Sequence, residues 1–312
     1  MSPRLTAILC THRPNADRLR RALEGLARQS LAREDWELVL VDNASPEPVA
    51  IAPEIRRAIQ ARLIVEPVLG LSSARTAGMR VSQGSLIVFV DDDNVLDQGY
   101  LAQVVRIFAA HPTLGAIGGV STPEFEKAPA AWQSEFFGLL ALRDLGPEPR
   151  ISRETRAPGS GVDGYPSFAP IGAGLSLRRE AAEGWVTSAT GRRGQDLTSG
   201  EDNDLVLFIL ERGWTVGYFP ELRLTHLIPA GRLDPGYLAR LNRAIQKSWV
   251  HVLDCHGVCP WPRLTPLGAA LRGGRAWLTY RVWSSPAARV RWQGACGHFA
   301  GRVGIRNRGK AP

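Results

Sequence analysis

A chain of 312 residues, 44% of them hydrophobic, can bury a sizeable core, in one large domain or two. Its four cysteines make no disulfide framework at this length, the apolar part of Met1–Cys10 is too short for a signal peptide, and no apolar run approaches the ~18 residues of a membrane span. A reducing, cytoplasmic location is therefore expected. The formal net charge of +8 is uneven: no acid follows Asp254, while ten arginines and lysines do, leaving 28 basic against 30 acidic residues in 1–254.

The first 120 residues alternate strand and helix signals. Leu5–Cys10 reads as a strand, followed by Leu19, Ala22, Leu23, Leu26 and Ala27 at helical spacing. Glu37–Val41 is a second strand, closed by the turn signal Asp42-Asn43-Ala44-Ser45-Pro46. A short helix at 51–59 and a strand at Leu63–Val65 come next, and then Gly70 opens a helix with Ser72 or Ser73 as its N-cap. The run 85–90 has the length and composition of a buried strand, and a helix follows at 97–109, then a strand at Ala116–Val120. This order predicts an α/β fold with a mainly parallel sheet covered on both faces.

Residues 122–170 are rich in Pro, Gly and aromatic side chains without a clear period, and 158–164 reads as a mobile loop. A short helix is expected near Arg179–Glu183, and a Gly-rich loop at 191–200 leads into Gly200-Glu201-Asp202-Asn203-Asp204 and a helix, followed by strands at Thr215–Phe219 and Leu222–His226.

The densest chemistry is Asp91-Asp92-Asp93, at the carboxyl end of the buried strand and thus at the edge where open α/β sheets bind ligands. Three adjacent anions are costly to desolvate without a cation. Strand alternation would send Asp91 and Asp93 to one side and Asp92 to the other, a hard-oxygen half-site for Mg²⁺ or Mn²⁺. A helix cap by Asp93 or Asn94 accounts for only one of the acids. Asp42 alone reads as a turn residue, Arg75 as a phosphate contact or a solvated side chain, and His226 as a core histidine or metal ligand. Acids in a first helical turn are favoured by the dipole, yet Glu201 and Asp202 beside a Gly-rich loop also suit a general base. Cys255-His256-x-x-Cys259 fits no common structural zinc spacing.

Taken together, these residues resemble a family 2 glycosyltransferase of the A-type nucleotide-sugar-binding fold over roughly residues 4–250. The carriers are Ala7–Pro14, Val39–Ser45, Gly70–Gly78, Val90–Asp93, Gly172–Gly174, Gly200–Leu205 and Thr225-His226. The resemblance implies a Rossmann-like domain with a mixed, mostly parallel sheet. Residues 1–121 would form its nucleotide-binding half and 122–250 its acceptor-binding half, with 251–312 a basic, helical, Trp/Arg-rich extension. It also implies metal-dependent, inverting transfer of a sugar from a nucleotide sugar to a saccharide or lipid-linked acceptor, in cell-surface polysaccharide or glycolipid synthesis. Thr11, Arg13, Asp42, Asn43, Arg75, Asp91 and Asp92 would bind the donor. Asp93 and His226 would hold Mg²⁺ or Mn²⁺, and Asp202, paired with Glu201, would be the catalytic base. Gln246-Lys247-Ser248-Trp249 does not match the Gln-x-x-Arg-Trp signature of processive members, so single addition is expected. The competing readings are a nucleotidyltransferase, which would want a Gly-rich, Lys/Arg-bearing phosphate loop after the first strand where Thr11–Asn15 contains no glycine, and a binding module without turnover. The basic extension suits an anionic membrane surface, which places the protein at the inner membrane face, and no nucleic acid is expected as partner.

Overall fold

The strand β1 (Leu5–Thr11) is buried along its whole length, as its mostly apolar sequence favours. It pairs in parallel with β2 (Trp36–Asn43) and β4 (Leu86–Asp91), and β2 in turn with β3 (Arg62–Glu66). The computed structural model describes residues 3–152, 165–185 and 199–305; the Gly-rich stretches expected at 158–164 and 191–198 lie outside them. Leu5, Ala7 and Leu9 point to a core shared with α1 (Ala16–Ala27) and α4 (Tyr100–Ala110). Ile8 and Cys10 point to the other face, covered by α3 (Leu71–Val81) and α5 (Glu201–Glu211). Period-2 alternation thus feeds two apolar layers.

Beyond β4 the sheet becomes mixed. β8 (Ser176–Arg178) lies antiparallel between β4 and β6 (Leu114–Phe125), and β6 runs parallel to β9 (Thr215–Ile228). β9 also takes β5 (Asn94–Leu96) and β7 (Arg150–Ile151) as antiparallel partners. The two strands expected at 215–219 and 222–226 are therefore one. The gap between them survives as a register break, with Gly118 opposite Tyr218 but Val120 opposite Arg223. Pro220 cannot donate to a ladder, and the chain bulges there. A Cβ on Gly119 would stand 2.0 Å from the Leu222 carbonyl oxygen, so the bulge needs glycine opposite it.

Three local expectations are corrected. Asn94 enters strand β5, and α4 starts at Tyr100 after Gly99, so neither Asp93 nor Asn94 caps a helix. The N-cap of α3 is Gly70, not Ser72 or Ser73. Near 179–183 the chain makes only a short 3-10 turn, Glu180–Ala182.

The C-terminal region is helical. α6 (Pro235–Cys255) runs through residue 250, and α8 (Pro286–Val303) lays its buried Gly294, Gly297 and Gly301 on it, while α7 (Pro266–Thr279) packs on α8 alone among its larger contacts.

Candidate active site

Because β1, β2 and β4 are parallel, their last residues reach one edge together: Thr11 is level with Asp42, and Cys10 with Asp91. A cavity of about 430 Å³ opens there, within the range of small-molecule sites. Its lining includes Thr11, Asn43, Arg75 and the three aspartates, together with Glu201, Asp202, His226 and Arg232. The topology has gathered most of the candidate residues from six separate segments.

The strand ends at Asp91 and the chain turns at Asp92-Asp93, so simple alternation does not hold. Each carboxylate has its own partner. Asp91 faces the Arg75 guanidinium at 3.6 Å, and Thr11 Oγ1 donates to Asp92 Oδ2. Asp93 stands 3.1 Å from Arg232 Nη2 and 3.4 Å from His226 Nε2. Burial, reinforced by the negative charge of Asp93 and only partly relieved by Thr11, pushes the Asp92 carboxyl up to about 6. Burial alone would raise Asp93 too, but His226 and then Arg232 hold it far below the usual carboxylate range.

Arg75 is 2% exposed, with its guanidinium over the Phe89 ring at 4.8 Å. Asp91, Glu201, Cys10 and Asp202 all favour its charge against the cost of burial. Its Nη2 donates to the Gly172 carbonyl at 3.3 Å, and the Gly172 N–H donates to Asp202 Oδ2 at 2.9 Å. Asp202 Oδ1 accepts from the Asn203 N–H at 2.9 Å. The carboxylate is thus oriented by two N–H donors, and each oxygen keeps a lone pair for a further proton donor. Glu201 is buried in the same first turn of α5.

Asn43 ties the edge together: its Nδ2 donates to the Glu66 and Val68 carbonyls, and its Oδ1 accepts from Gly70 N–H at the start of α3. Asp42 is buried with both oxygens accepting loop N–H groups, from Ser45 and Val49, and does not line the cavity. Arg13 is exposed, in the left-handed region at φ 49°, and also lies off the cavity, where the neighbouring His12 stands instead. Arg232 was missed in the sequence, since one arginine after Gly231 carries no periodic or motif signal. The same holds for other lining residues, Leu139, Leu140, Tyr237, Leu241 and Ile245. His256 is no zinc ligand: its Nε2 is 3.0 Å from Asp204 and its Nδ1 2.9 Å from Glu211.

A curled α/β sheet with a carboxylate-rich cavity at its carboxyl edge, also lined by the start of a helix that begins with paired acids, has the architecture of the A-type glycosyltransferase fold. Residues 6–185 match the family described as Glycosyl transferase family 2, more than half of the chain. The chain belongs to that family. It is 23% identical over 163 residues to a glucosyl-dolichyl phosphate glucuronosyltransferase of Haloferax volcanii, covering 50% of this chain and 47% of that one. TarS of S. aureus superimposes with a TM-score of 0.51 at 13% identity, over 96% of this chain and 55% of that one. GalNAc-T7, solved with UDP, GalNAc and Mn²⁺, superimposes with a TM-score of 0.52 at 15% identity, over 81% of this chain and 49% of that one. The chain spans about half the length of these relatives.

Proposed function

We propose that this glycosyltransferase moves one sugar from a nucleotide-sugar donor to a saccharide or lipid-linked acceptor, with inversion at the anomeric carbon, in cell-surface polysaccharide or glycolipid synthesis. The observation that carries the reading is the placement of Asp202: its carboxylate, oriented by Gly172 and Asn203, lines the same cavity as the acid triplet. Asp202 takes the acceptor hydroxyl proton as that oxygen attacks the anomeric carbon. The bond to the diphosphate breaks on the opposite face, its electron pair leaving with the nucleoside diphosphate. Glu201 and Asp202 set the field in which Arg75 keeps its charge beside the donor. Thr11, Asn43, Asp91 and Asp92 line the nucleotide side, while Asp42 and Arg13 act on the loop after β2: Asp42 through its accepted bonds, Arg13 through its N–H to Ser45.

The residues fit Mg²⁺ or Mn²⁺. His226 is buried with neither ring nitrogen hydrogen-bonded, and Nε2 lies beside an ionised carboxylate. Among the described residues no cluster of three His, Cys, Asp or Glu could hold an ion by protein alone. Asp93 and His226 therefore form a half-site of the kind completed by water and phosphate oxygens. When bound there, the ion supplies positive charge against the charge developing on the leaving diphosphate.

The apolar lining residues, among them Leu241 and Ile245 of α6, support a lipid-linked acceptor over a free sugar, and with it an enzyme that works at a membrane surface. Among the described residues no helix is long and apolar enough to cross a membrane. The test is a panel of nucleotide sugars with Mn²⁺, read by thermal shift and slow donor hydrolysis. One donor should stabilise the protein and be hydrolysed; a panel without either effect contradicts the proposal.

A further inference from the structure

In a globular protein a helix turns its large apolar residues inward. Helix α7 does the reverse. Its packed face carries small residues: Ala276 is buried, Gly273 accepts from Trp292 Nε1 of α8 at 3.0 Å, and a Cβ on Gly273 would meet Cys296 at 3.5 Å. Its leucines face water, with Leu267 70% exposed, Leu271 67% and Leu278 61%. At 100° per residue these three fall within about 40° of one another on the helix, on the side away from Ala276. Trp277 and Trp283 extend the surface as a contacting pair with ring centroids 4.7 Å apart, 41% and 61% exposed. Single exposed leucines need no explanation, but a stripe of this length does.

The charge around the stripe is of one sign. Arg263, Arg272, Arg275 and Arg281 are exposed, and no acid occurs anywhere after Asp254. A second copy docking by the same stripe would oppose arginine to arginine. An anionic bilayer answers both features, accepting leucine and tryptophan at the acyl boundary and pairing the arginines with headgroup phosphates. We infer that α7 and the Trp277–Trp283 pair form an interfacial anchor that lays this protein on an anionic lipid surface, with α8 serving as its rigid mount. This narrows the membrane contact from the whole basic extension to one helix face. It rests on the reading of the enzyme as one acting at a membrane, yet its test needs no donor or acceptor.

The full chain, without nucleotide sugar, is sedimented with phosphatidylcholine vesicles containing about 30 mol% phosphatidylglycerol, and with phosphatidylcholine alone. It should bind the anionic vesicles and not the neutral ones. The Leu267→Gln/Leu271→Gln/Leu278→Gln variant should lose at least about tenfold in affinity, since three buried side chains are removed from the lipid. It should melt as the parent does, because the replaced groups are exposed. Arg272→Gln/Arg275→Gln should also lose about tenfold, by charge alone. Undiminished vesicle binding by the leucine variant overturns the inference. So does a parent dimer, detected by sedimentation velocity without lipid binding, that the leucine variant dissolves. Donor hydrolysis in solution is read separately, so failure of the anchor and failure of the proposed chemistry remain distinct.

Discussion

Arg75 and Asp202 are joined through a single residue: the carbonyl of Gly172 accepts from the Arg75 guanidinium, and its N–H donates to the Asp202 carboxylate. Arg75 on α3 and Asp202 on α5 therefore share one mount, the loop before β8. Moving either would disturb the other.

Replacing Arg75 by Met should destabilise the fold by about 3–5 kcal/mol, because a buried cation is removed from among acids that burial does not release to water. Chemical denaturation measures it. The loss should be smaller at acidic pH, where protonation of the neighbouring acids removes the charge left behind.

Chelation should weaken binding of a nucleoside diphosphate, and Mn²⁺ should restore it. In Asp93→Asn the Mn²⁺ dependence should fall at least about tenfold, in line with loss of a carboxylate ligand. Isothermal titration of UDP and GDP with and without Mn²⁺ gives the answer; an unchanged dependence would remove Asp93 from the site.

Gly174 lies at φ 70°, and a Cβ there would stand 2.5 Å from the Tyr100 hydroxyl, which donates to the Gly174 carbonyl at 2.6 Å. Gly174→Ala should cost about 1–3 kcal/mol. In a Tyr100→Phe background the same change should cost less, because the clashing oxygen is gone, and a double-mutant cycle reads the difference.

His256 clips the end of α6 to α5. Burial opposes its charge, but Asp204 and Glu211 outweigh that and raise its affinity for the proton. Because the ring binds its proton more tightly folded than unfolded, its contribution is complete below the ordinary value of 6.5 and is lost as pH rises through the raised folded value. His256→Gln should thus be about 1–2 kcal/mol less stable than the parent at pH ~5.5, with the two curves converging at alkaline pH. Melts across that range would show a pH-independent gap if the clip were merely packing.

Much of the sheet was legible because β1, β2 and β4 are apolar runs with acids or turn residues at one end, so strand order alone gathers Thr11, Asn43 and Asp91. His226 was legible by its place on a strand beside the acids. Arg232 was not, since its value comes only from a turn that returns it to Asp93 across 139 residues. Nor was the role of Asp42, whose two oxygens serve Ser45 and Val49, a pattern that residue type cannot distinguish from ligand binding. The helix α7 was hidden for a similar reason: its apolar spacing reads the same whether the stripe faces core or water.

The proposed transfer turns on Asp202. With the donor found by the panel and its acceptor, Asp202→Asn should bind donor within about threefold of the parent while its single-turnover transfer rate falls about 10²–10⁴-fold, the usual contribution of a positioned general base. A transfer rate equal to that of the parent would contradict the assignment of the base and, with it, the mechanism.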